Sequence, residues 1–302
     1  MILIDRVLCV FFVVSLFLMF CFSYQRNFII CDKLLFHKKK ESHRKINKNI
    51  SSFEKNLRIP DLKTDNGFVR DVYTRTTLHY YVLYNTLFSK TLLFFHGNKG
   101  SIDRHLKKCL YFYQNLRMNV IVFDYSGFGK STGEIHNETD MLLNATAIYE
   151  EVFMKKLAHT ELYVYGISLG GTCAFAFALY KSRVCRGVII ENGLFSVHEL
   201  LKNSKWFLLN IIPKKYIVSD FCVEKYLDKF RYDENLPVLL ICSKYDRVIP
   251  YKNSLKLCEI LNSKGFKRIS CTQICNRIIG HTNAWKFGKQ YYDLFDRFVH
   301  FK

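Results

Sequence analysis

Beyond Pro60 short apolar runs alternate with longer stretches of helical periodicity, and few folds accept that alternation. Thr91 to Phe95, Val120 to Phe123, Leu162 to Tyr165, Val188 to Ile190 and Val238 to Cys242 are apolar enough to be strands buried on both faces. Between them Asp103 to Leu116, Thr139 to Lys156, Leu169 to Lys181 and Lys252 to Ser263 suit helices, and a last helix is expected over Ala284 to Phe298. Phe68 to Tyr73 and Leu78 to Tyr84, aromatic and β-branched, read as an opening hairpin. The pattern predicts an α/β fold with a mostly parallel central sheet, helices on both faces and reactive groups at the carboxyl ends of the strands. Residues 193 to 235 interrupt the rhythm as a small cap insertion. Its apolar run, Trp206 to Ile212 before Pro213, fits either a cover over the site or an insertion packed into the main core.

The amino-terminal end reads differently. Val7 to Phe22 is apolar apart from Ser15, long for the core of a cleavable signal, and Cys21-Phe22-Ser23 is a poor cleavage site, so residues 1–24 are expected to form a transmembrane signal anchor. Arg26, Lys33, Lys38 to Lys40, Arg44, Lys45 and Lys48 follow it. The positive-inside tendency then predicts a single-pass membrane protein with its body in the cytosol, residues 25–60 as a basic polar stalk, and residues 61–302 as the folded domain. The bilayer is the expected partner of the stalk.

Lys and Arg number 45 against 26 Asp and Glu, a formal charge of +19. The excess is spread along the body without a basic recognition helix, and no nucleic acid is expected as a partner. Eleven cysteines, an odd number at irregular spacing, do not read as a disulfide framework. Cys109, Cys173 and Cys242 sit inside apolar segments as small core residues, and Cys271 and Cys275 lack the second pair a zinc site needs. No metal, organic cofactor or obligate protein partner is implied.

Chemistry concentrates in one constellation. Gly166-Ile167-Ser168-Leu169-Gly170 lies between an apolar strand and a helix, the context of a G-x-S-x-G turn that lifts a serine hydroxyl above a sheet. A serine nucleophile needs a base, and the base needs an orienting acid. His281 follows Gly280 before the last helix and Asp246 follows the Val238 to Cys242 strand, giving the order Ser, Asp, His. Glu191, at the end of the preceding strand, is a rival for the acid. His96-Gly97-Asn98-Lys99-Gly100 follows another strand, and the backbone amides of Asn98 and Leu169 are the expected oxyanion donors. His96 is expected to support its loop by hydrogen bonding. Asp124-Tyr125-Ser126-Gly127-Phe128-Gly129-Lys130-Ser131 has Asp124 where a phosphate loop requires its first glycine, so the turn is expected to buttress the site instead.

From Gly67 to the carboxyl end these motifs resemble the α/β-hydrolase superfamily, and within it the Bem46-like group of membrane-anchored serine hydrolases. The resemblance rests on His96 to Gly100, Asp124 to Ser131, Gly166 to Gly171, Asp246 to Pro250 and Gly280 to Asn283. It assigns Ser168, Asp246 and His281 the triad roles reached above. It implies a membrane-tethered serine esterase, lipase or thioesterase that cleaves acyl esters or thioesters of lipid-like substrates through an acyl-enzyme. A serine amidase or peptidase, and a noncatalytic acyl-ligand-binding protein on the same scaffold, are the alternatives. Lys99 stands where the family commonly has a small residue and Ser126 where it commonly has a basic one, departures that bear on the entrance and its preferred headgroup.

Overall fold

A computed structural model describes residues 42–202 and 220–300. Eight strands form one sheet in the order β1-β2-β4-β3-β5-β6-β7-β8. Strands β1 (Lys63–Asp71) and β2 (Thr76–Tyr84) make the expected antiparallel hairpin, and β2 also runs antiparallel to β4 (Asn119–Phe123). From β4 outward the sheet is parallel, through β3 (Lys90–Phe95), β5 (Glu161–Ile167), β6 (Cys185–Glu191), β7 (Val238–Ser243) and β8 (Ile269–Ile274). The inner strands are buried along nearly their whole length because both faces are covered, which is why they read as continuous apolar runs.

Helix α1 (His43–Lys55) and helix α2 (Ile102–Leu116) lie over one face, with helix α8 (Lys289–His300) completing that layer. Helix α3 (Glu138–Ile148) and helix α4 (Leu169–Tyr180) cover the other. Helix α4 is buried all round, so its sequence shows no polar stripe. The stretch expected as one helix from Thr139 to Lys156 widens into a π-turn at Tyr149–Phe153 before Met154–Lys156. The last predicted helix is divided by Gly288, at φ 70°, into a 3₁₀ turn over Ala284–Phe287 and α8. Helix α7 (Lys252–Ser263) has the predicted bounds. Of the cap segment, helices α5 (Val197–Lys202) and α6 (Val223–Lys229) are described; the apolar run Trp206 to Ile212 lies outside the described residues.

Strand β8 was not expected, and its side-chain exposure explains why. As the edge of the sheet it presents Ser270, Cys271 and Gln273 outward, so it lacks the unbroken apolar run of its neighbours. Cys109, Cys173 and Cys242 are free thiols buried in the core.

Two expectations about the amino-terminal region are revised. Residues 43–55, within the segment read as a polar stalk, form α1, whose Ile46 and Ile50 stand four apart on one face and are buried in the core with α2. Asn49 donates to Asp103 at 2.6 Å and Tyr81 to Glu54 at 3.0 Å, tying α1 to α2 and β2. The second revision concerns the membrane. Among the described residues no helix is long and apolar enough to cross a bilayer, and the anchor expected over residues 1–24 lies outside them. The transmembrane element of the fold, the single-pass localisation, the bilayer partner and the membrane-tethered form of the enzyme are withdrawn.

If α1 is an integral part of the core, Ile46→Ala lowers stability by about 2–4 kcal/mol, the usual cost of truncating a buried aliphatic side chain. Urea denaturation checks this, and an unchanged midpoint would mean that the helix does not contribute to the core.

Candidate active site

Ser168 is the residue between β5 and α4, at φ 58° and ψ −128°. A non-glycine side chain in that region is strained, and the strain is held by close backbone packing on either side. A Cβ added at Gly166 would overlap the Gly170 carbonyl, and one added at Gly170 would overlap the carbonyls of Phe95 and His96. Only glycine lets β5, α4 and the end of β3 approach this closely. The turn is closed by Ser168 N donating to Glu191 O at 2.9 Å and Gly171 N donating to Ser168 O at 2.9 Å.

His281 Nδ1 lies 2.6 Å from Asp246 Oδ2. The other carboxylate oxygen of Asp246 accepts from the amides of Val248 at 2.7 Å and Ile249 at 3.0 Å. The acid is thus anchored by its own turn, and with Nδ1 engaged the Nε2 of His281 is the nitrogen left for chemistry. Ser168 and His281 line one cavity of about 530 Å³, together with Gly97, Asn98, Val248 and Trp285. Ser168 Oγ makes no hydrogen bond among the described residues. Leu169 begins α4 with its amide in the first turn, where helix N–H groups lack intrahelical partners. Gly97 packs against the Ser168 turn: a Cβ there would stand 3.2 Å from both Ser168 Cβ and Ile167 O.

Glu191, the rival acid, is committed elsewhere. It is fully buried, accepts from Lys108 Nζ at 2.9 and 3.1 Å and from Tyr165 at 2.7 Å, and also bonds the Tyr291 hydroxyl. Burial pulls the Lys108 pKa down and the Glu191 carboxylate opposes that shift. The same burial, reinforced by Glu191, raises the Tyr165 and Tyr291 phenols, so both remain donors.

Sequence reasoning passed over Asn192, the residue that joins these loops. At φ 47°, its side chain donates to His281 O at 2.7 Å and accepts from Ser243 N at 2.7 Å, bridging the His281 loop to the end of β7 just before Asp246. An asparagine directly after a buried strand, in a place where the chain must turn left-handed, is the signal that could have found it. Asp124 does comparable work under the His96 loop. Its oxygens accept from Ile102 N at 2.8 Å and Lys130 N at 3.2 Å, and Oδ2 lies 3.0 Å from His79 Nδ1. The Asp124 to Ser131 turn therefore braces the start of α2. His96 is buried with Nδ1 2.8 Å from Gly97 O, and burial lowers its pKa although Asp124 opposes the shift.

Comparison with known proteins agrees with this architecture. Residues 90–221 match the family model described as the alpha/beta hydrolase fold. Protein bem46 of Schizosaccharomyces pombe is 30% identical over 164 residues, covering 53% of this chain and 52% of that protein. The chain spans about half the length of this curated relative. An α/β hydrolase from Vibrio vulnificus superposes with a TM-score of 0.66 at 18% identity, over 87% of this chain and 88% of that one. An esterase from Pyrococcus furiosus does so with a TM-score of 0.61 at 15% identity, over 79% and 90%. The solved structures show that the chain has the α/β-hydrolase fold, and the family match covers residues 90–221 of it. The similarity to protein bem46 covers about half of each chain, and the anchor expected over residues 1–24 lies outside the described residues.

A histidine whose folded pKa is depressed binds fewer protons than its unfolded counterpart below the ordinary value of 6.5. Its stabilising contribution is complete above that value and is lost as pH falls. Thermal melts between pH 7.5 and 5 should show falling stability, with a shallower fall in His96→Gln. Equal slopes in the two proteins would contradict the neutral, buried state of His96.

Proposed function

We propose that the protein is a serine hydrolase that cleaves carboxylic esters or thioesters through an acyl-enzyme, with Ser168 as nucleophile, His281 as general base and acid, and Asp246 as the orienting carboxylate. The observation that carries the reading is the 2.6 Å His281 to Asp246 contact on the same cavity as the strained Ser168 turn. Ser168 Oγ attacks the acyl carbon while His281 Nε2 takes the hydroxyl proton; Asp246 holds the imidazole in the tautomer with its proton on Nδ1 and stabilises the imidazolium. The amides of Asn98 and Leu169 receive the developing oxyanion. Collapse of the tetrahedral intermediate breaks the bond to the leaving oxygen or sulfur, which takes its proton from His281. Water, deprotonated by His281, then attacks the acyl-serine, and the second tetrahedral intermediate collapses with cleavage of the acyl–Oγ bond, return of the proton from His281 to Ser168 Oγ, and release of the acid.

An apolar share of the cavity wall, Ile167, Val248 and Trp285, suits the hydrocarbon part of an acyl substrate. Asn192 serves as a positioning residue, because its two hydrogen bonds fix the separation of the base and acid loops.

The test is covalent labelling of the full chain by a fluorophosphonate, alongside turnover of short p-nitrophenyl esters. Ser168→Ala and His281→Ala should each lose labelling and reduce kcat by roughly 10⁴-fold or more, with Asp246→Asn close behind. Folded wild-type protein that neither labels nor turns over esters would overturn the reading.

A further inference from the structure

The cavity that holds Ser168 and His281 is also lined by Lys99, Arg104, Lys108 and Lys286, and by no aspartate or glutamate among the described residues. Elsewhere on the surface several lysines meet carboxylates. Lys156 pairs with Asp65 at 2.7 Å, Lys256 with Glu199 at 3.0 Å and Lys264 with Asp228 at 2.9 Å.

Each carboxylate near the cavity is engaged away from it. Asp103, one residue before Arg104, accepts from Asn49 and Ser101 on the side of α1. Glu191 is enclosed by Lys108, Tyr165 and Tyr291, and Asp246 by His281 and two amides. Lys108 is neutralised by its Glu191 contact and Arg104 Nη1 donates to Lys99 O at 3.3 Å, which leaves Lys99 and Lys286 as exposed ammonium groups on the wall. Lys286 lies 5.7 Å from the Trp285 ring centroid, and among the described residues neither ammonium has a carboxylate partner. Same-sign charges around a partly enclosed space focus potential on whatever enters it.

We infer that the site selects acyl esters carrying a second, anionic group, a carboxylate or a phosphate, which Lys99 and Lys286 bind while the ester carbonyl lies against Ser168. This inference rests on the hydrolase reading and names its substrate class. The anion belongs either to the acyl part or to the alcohol part of the ester, and matched probes separate the two. p-Nitrophenyl hydrogen succinate against p-nitrophenyl butyrate places the charge on the acyl side; butyryl glycerol 3-phosphate against monobutyrin places it on the alcohol side.

In one of the two pairs the full chain should favour the anionic member by about tenfold in kcat/KM at low salt, chiefly through KM. That ratio should fall towards one in about 0.5 M NaCl, where charges are screened over a few ångströms, and in the Lys99→Gln/Lys286→Gln double variant, with Lys99→Arg/Lys286→Arg restoring it. Hydrolysis of the neutral esters with no anionic preference in either pair would overturn the substrate class and leave the hydrolase reading standing. A preference unchanged in the double variant would overturn the assignment to these lysines. Failure to hydrolyse any of the four esters, with Ser168 unlabelled by fluorophosphonate, would remove the hydrolase reading and the substrate class together.

Discussion

The close backbone approach at Gly166 and Gly170 is the constraint on which the site depends. With no side chain at either position, the amino end of α4 sits directly on the ends of β3 and β5. The chain between them can then turn only by placing Ser168 at a positive φ, which projects a small polar side chain at the carboxyl edge of the sheet. Any larger residue at the glycines would separate helix from strands and relax the turn. Neighbouring strands fix the rest: β6 supplies Glu191 O to the Ser168 amide, and β7 leads into Asp246.

Two buried carboxylates support this edge without lining the cavity. Asp124 gathers amides from the start of α2 and from the following turn, and so steadies the loop that carries Asn98. Glu191 gathers an ammonium and two phenols from α2, β5 and α8. Groups of this kind are costly to bury alone and specific when fully satisfied, because each partner has to arrive from a different element. The networks therefore hold the layers in register behind the reactive face, and they leave the cavity wall to cationic and apolar side chains. The same partition of charge underlies the substrate class inferred for the cavity.

Much of this was legible in the sequence, and the gaps have physical causes. The inner parallel strands announce themselves because burial on both faces demands continuous apolar residues, and the Gly166 to Gly170 turn because backbone contact demands glycine. The position of Asp246 follows from its place after the Val238 to Cys242 strand and that of His281 from Gly280 and the helix that follows, although their pairing is a tertiary fact. Strand β8 escaped because an edge strand needs no apolar face, and α1 because only Ile46 and Ile50 mark its buried side amid basic residues. Asn192 was passed over because its partners, His281 O and Ser243 N, are distant in the chain, and an asparagine after a buried strand is only a local hint of them. The amino-terminal apolar run was legible as composition alone, and no described helix bears out a membrane-spanning role.

The most direct test of the account is to mix the full chain with p-nitrophenyl butyrate, quench with acid within milliseconds, and locate the acyl group by peptide mass spectrometry. The account predicts a burst of p-nitrophenolate stoichiometric with enzyme and a butyryl group on Ser168. A butyryl group on a different side chain, or turnover that persists in Ser168→Ala, would contradict it.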